Sequence, residues 1–61
     1  MSKKDFIKCL KIARKESRES LIWLEGLDEV SEGRDEKIKP IIQETKEIGY
    51  ILTSIIAKNE T

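Results

Sequence analysis

Sixty-one residues carrying twelve basic and twelve acidic side chains, no histidine and one cysteine give zero net charge and room for one small domain. This composition excludes an internal disulfide and leaves a structural zinc site without its ligands, and neutrality argues against a purely electrostatic nucleic-acid binder. A chain of this size buries only about 60% of its unfolded surface, so with disulfide and metal removed the remaining staple is oligomerisation.

The single thiol and the lysine and glutamate usage fit a reducing, cytoplasmic setting. No stretch approaches the roughly 18 consecutive apolar residues of a membrane span. The start, MSKKDFIKCLKIARK, lacks the uninterrupted apolar core and cleavage site of a signal peptide. It could lie on a membrane surface as an amphipathic helix, but a bundle helix is the expected reading. Charge is uneven along the chain. Residues 1–20 hold seven basic and three acidic groups, residues 21–37 two basic and six acidic, and the remainder three of each.

Ser2, followed by Asp5 and Phe6, resembles a capping box and predicts a helix over about 3–27. Its seam is Phe6, Leu10, Ala13, Ser17, Ser20, Leu24 and Leu27, spaced by alternating fours and threes. The pattern fades between Gly26 and Gly33, where an acidic run and two glycines predict a turn. A second helix is expected over about 36–58, starting near Arg34 to Glu36 with Asp35 as cap and Pro40 in or close to its first turn. Its seam is Ile38, Ile41 or Ile42, Thr45, Ile48, Leu52 and Ile55, with Gly49, Ile51 and Ile56 alongside.

The expected fold is therefore an all-α, antiparallel helical hairpin forming a single domain. Flanking apolar residues, among them Ile7, Cys9, Ile12, Leu21, Ile22 and Trp23, widen the apolar surface beyond what one partner helix covers. The expectation is self-association into a four-helix or larger bundle, with a dimer of hairpins favoured and a larger ring as the alternative. Antiparallel stacking would set the basic start of one hairpin beside the acidic turn of the other, biasing orientation rather than holding the assembly.

Ala13, Ser17 and Ser20 suit close helix approach, with serine hydroxyls bonded one turn back and Thr45, Ile48 and Gly49 opposite. A polar pocket inside the bundle is the alternative. Trp23 borders the seam; an oligomer contact is favoured over intramolecular cover and over a ligand platform.

In its order of motifs the chain resembles the C-terminal half of the four helix bundle protein family, also called 23S rRNA intervening-sequence proteins. The matching positions are Ser2, Lys3, Lys4 and Phe6, then Ile12, Ala13, Lys15, Glu16 and Glu19, then Trp23, Leu24 and Glu25, and finally the run Ile51 to Ile56. They cover about 50 of 61 residues. The family's first two helices have no counterpart here, so the resemblance implies either a fragment or a hairpin that rebuilds a bundle by pairing. The resemblance implies ring-forming homo-oligomers among relatives, a ring that half a bundle does not by itself carry over, and some relatives resemble basic ring proteins that assist reverse transcription.

Little points to chemistry. No histidine can act as base for a nucleophile, and Cys9 is expected to be buried and inert. Glu16 with Glu19 and Glu44 with Glu47 lack the histidine of di-metal bundle sites and are expected to be salt-bridge partners. No cofactor, metal or small-molecule substrate is expected, and no enzymatic activity. Lys4, Lys8, Lys11, Lys15 and Arg18 form a basic stripe roughly opposite the seam, a candidate track for phosphates. No aromatic interleaves with it, so base stacking is not supported and a solvated face is the simpler reading. A non-enzymatic self-assembling module is thus the expected function, with a nucleic-acid-associated accessory role as the alternative.

Overall fold

The computed structural model describes residues 1–60 and shows two α-helices, α1 (Lys3–Val30) and α2 (Ile38–Asn59), packed as an antiparallel hairpin. Its extents are 44 × 15 × 14 Å, close to the length of α1 alone at about 1.5 Å per residue. Ser2 starts α1 as expected. Its hydroxyl accepts from the Asp5 amide at 3.1 Å, pairing a donor that a helix start otherwise leaves open, and its carbonyl takes the first helical bond, from the Phe6 amide at 3.0 Å.

α1 runs past its expected end, through Gly26, to Val30. Gly26 has no positive φ, and one glycine inside a helix costs only about 1 kcal/mol against alanine, less than an early stop would forfeit. The helix closes at Glu32 and Gly33, both left-handed with φ of 57° and 71°. The Gly33 amide donates to the Asp28 carbonyl and the Glu32 amide to the Glu29 carbonyl, each at 3.0 Å, so the last carbonyls are satisfied.

α2 begins at Ile38, later than the spacing predicts. Asp35 organises the turn ahead of the helix rather than capping it. Its Oδ1 accepts from the Lys37 amide at 3.0 Å and its carbonyl from the Ile38 amide at 3.2 Å, while Lys37 takes the cap position without a side-chain bond. Pro40 is then the third helical residue, where a missing amide hydrogen breaks no ladder bond.

The seam between the helices differs from the expected one. α1 turns Ile7, Leu10, Arg14, Ser17, Leu21, Leu24 and Asp28 toward its partner; α2 answers with Ile38, Ile42, Thr45, Gly49, Leu52, Ile56 and Asn59. Leu10, Ala13, Ser17, Leu24, Thr45, Leu52 and Ile55 are partly covered, in keeping with the expected seam, whereas Phe6, Ser20, Leu27, Ile41 and Ile48 are exposed. Each helix carries two overlapping heptad lines, and spacing alone does not choose which one faces the partner. Ile56, expected beside the seam, is the one buried residue among those described, 2% exposed.

At mid-seam the small residues do bring the backbones together. Ser17 donates its hydroxyl to the Thr45 carbonyl across the interface at 3.3 Å, not to its own previous turn, and its Oγ lies 3.9 Å from where a Cβ on Gly49 would stand. Near the turn the seam becomes polar: Asp28 holds its Oδ1 buried without a hydrogen-bond partner, a layer that contributes less than an apolar one.

Candidate self-association face

Most of the apolar residues left outside the seam lie on one side of the hairpin; Ile22 and Tyr50, about 70% exposed, lie on the other. On α1, Phe6, Cys9, Ala13, Glu16, Ser20, Trp23, Leu27 and Val30 follow a second heptad line, rotated about 100° round the helix from the first. On α2, Ile41, Glu44, Ile48, Ile51, Ile55 and Lys58 do the same. Both second lines are displaced in the same rotational sense within their own helices. Because the helices run in opposite directions, the two lines emerge on the same side of the hairpin.

Trp23 is 76% exposed and Ile51 57%, so the tryptophan gives no intramolecular cover. Its ring stands on the open face. Cys9 is exposed on that face too, against the expectation of a buried thiol. Among the expected interface residues, Leu10, Ser17, Leu24, Thr45, Gly49 and Leu52 serve the hairpin's own seam, and Ala13, on the second line, is partly covered. Phe6, Ser20, Trp23, Ile41, Ile48 and Ile55 belong to the second face.

The glutamate pairs are not ion-paired. Among the described residues the salt bridges are Lys11 with Glu60 and Arg34 with Glu32, each at 2.8 Å and solvent-exposed, where such pairs contribute little. Glu47 instead accepts from the Gln43 side-chain amide at 3.3 Å. Glu16 and Glu44 interrupt the apolar face. Also among the described residues, no cluster of three or more metal-ligating side chains occurs, and no helix is long and apolar enough to cross a membrane.

Lys4, Lys8, Lys11, Lys15 and Arg18 are all exposed, with the four lysines bordering an open groove beside Asn59 and Glu60. On the side of the hairpin away from the apolar face, Arg14 and Arg18 meet Lys46 and Tyr50 around a cavity of about 240 Å³ that also touches Ser17 and Gly49. Lys46 and Tyr50 were not singled out by the spacing on α1, because they come from the other helix. The usable signal was the small pair Ser17 and Gly49, which fixes the level at which the two helices meet. Comparison with protein-family models, curated proteins and solved structures finds no match.

Proposed function

We propose that the chain is a non-enzymatic helical-hairpin module whose activity is to assemble with itself. One observation carries this reading. Among the described residues the hairpin buries a single one, while large apolar side chains from both helices stand exposed on one continuous face. Monomeric proteins rarely expose contiguous apolar patches beyond a few hundred Å², and two helices alone do not hold a core of ordinary size. The resemblance of the sequence to the last two helices of four helix bundle proteins supports the same conclusion, since two further helices would lie against that face.

Solution mass measured across a concentration series, with helicity followed in the same samples, tests it. The expected result is a helical dimer or larger species whose melting temperature rises with concentration. A stably helical monomer at every concentration overturns the reading. A poorly helical monomer overturns it as well and assigns the face to a different chain.

A second reading is a nucleic-acid-associated accessory protein, favoured by the grouping of Arg14, Arg18 and Lys46 with Tyr50, an aromatic beside cations. Replacing Lys15, Arg18 and Lys46 with glutamate tests it. If the basic surface follows phosphates, retention on single-stranded or duplex nucleic acid falls sharply, and the salt slope drops by about three units on a duplex. Unchanged retention removes this reading. In either case the assembly reading expects the triple variant to keep its mass and helicity.

A further inference from the structure

The open face has a geometry that specifies its occupant, and this inference rests on the self-assembly reading above. We infer that the occupant is a second copy of the chain, packed face to face with the turns at opposite ends, so that α1 runs antiparallel to α1 of the partner and α2 to its α2.

Two face-to-face arrangements have two-fold symmetry. In one, the axis runs parallel to the helices, the turns lie at the same end and each α1 packs on the partner's α2. In the other, the axis crosses the helices, the turns lie at opposite ends and like helices pair.

Three observations select the second. The first is charge. Residues 1–20 hold seven basic and three acidic groups and residues 21–37 two basic and six acidic, so crossing the axis sets the basic half of each α1 against the acidic half of the other. Turns at the same end would instead bring two acidic segments together, a repulsion between like charges.

The second is register. Antiparallel packing of the α1 second line on its copy forms four kinds of layer: Phe6 with Val30, Cys9 with Leu27, Ala13 with Trp23 and Glu16 with Ser20. The bulkiest side chain meets one of the smallest. The one carboxylate meets a hydroxyl that can donate to it. Sliding by a heptad either way sets Glu16 against Ala13 or Leu27, and the same-end arrangement sets it among the isoleucines of α2. A polar layer at the centre of a seam fixes register in this manner.

The third observation is that one axis serves both helices. The α1 layers are centred between Glu16 and Ser20, and the α2 layers, in which Ile48 meets Ile51, Glu44 meets Ile55 and Ile41 meets Lys58, are centred between Ile48 and Ile51. Within the hairpin, Ser17 packs against Gly49 with 3.9 Å between the serine Oγ and the built Cβ position, which sets the two centres at about the same level. A single two-fold axis therefore passes through both. The face runs the 44 Å length of the hairpin and about its 15 Å width, on the scale of the roughly 800 Å² per partner that stable dimers bury.

Cross-linking tests the arrangement. Leu27→Cys adds a second thiol about 27 Å from Cys9 along the same helix, at 1.5 Å per residue, too far for a bond within one chain. Across the inferred interface the two thiols are neighbours. Oxidation, or a short bismaleimide where disulfide geometry is imperfect, is expected to yield about ten-fold more covalent dimer than the native chain, whose Cys9 side chains lie far apart. A second variant guards against local disruption: Phe6→Cys with Val30→Cys in a Cys9→Ser background reports the end layer and is expected to cross-link equally.

Solution mass is read on the same samples. A dimer that cross-links in both variants supports the arrangement. A dimer by mass that cross-links in neither overturns the arrangement and leaves self-assembly standing. A monomer by mass for the native chain overturns both.

Discussion

Trp23→Asp is expected to turn an assembled, helical chain into a monomer that loses most of its helicity at micromolar concentration. Trp23 is 76% exposed in the hairpin alone, and a change at such a position in a true monomer would move stability by no more than about 0.5 kcal/mol. At an interface a tryptophan anchor contributes about 2–4 kcal/mol, and a symmetric dimer contains two. Losing both weakens association about a thousand-fold or more, at 1.4 kcal/mol per decade. Ile48→Asp, on the α2 part of the same face, should act in the same direction. Tyr50→Asp is the control. Tyr50 is 70% exposed but faces the other side, so mass and helicity should stay close to those of the native chain. Sedimentation and circular dichroism on the three variants decide the matter, and equal effects at Tyr50 and Trp23 would remove the special standing of the face.

Ile56→Ala is expected to leave the chain largely unfolded at room temperature. Truncating a fully buried isoleucine costs about 2–5 kcal/mol, through lost transfer energy and the cavity left behind. A core in a chain this small supplies roughly 3–5 kcal/mol in all, and Ile56, 2% exposed, is the single buried residue among those described. Urea titration at fixed protein concentration measures the effect. A midpoint that barely moves would show that stability resides in the intermolecular face alone. The two substitutions therefore separate what holds the hairpin from what holds the assembly.

That separation was only half legible in the sequence. Helix type, hairpin topology and the Ser2 cap could be read directly, because capping chemistry and heptad spacing are local. Which heptad line faces inward could not. Phe6 and Ile7, Ser20 and Leu21, Ile41 and Ile42, and Ile48 and Gly49 are adjacent pairs, and shifting between the members of a pair keeps the spacing of threes and fours intact. Spacing places Leu24 and Ile48 alike on the expected seam; in the structure Leu24 belongs to the internal seam and Ile48 to the open face. The choice is made by how closely the backbones approach, and that depends on Ser17 meeting Gly49 across 28 and more residues of chain. The grouping of Tyr50 with Arg14 and Arg18 was hidden for the same reason: no pattern within one helix reports its neighbour.

Asp28, with its buried and unpartnered oxygen, has a mechanical consequence. In most hairpins the covalent turn is the firm end and the termini fray. Here the better-packed end is the far one, where Ile56 is enclosed, while the end beside the turn holds a buried acceptor without a donor and a pair of left-handed residues. The weakest packed layer thus lies next to the pivot, and amide hydrogen exchange is expected to show α1 and α2 opening first beside the turn, where the chain is joined, and last around Ile56.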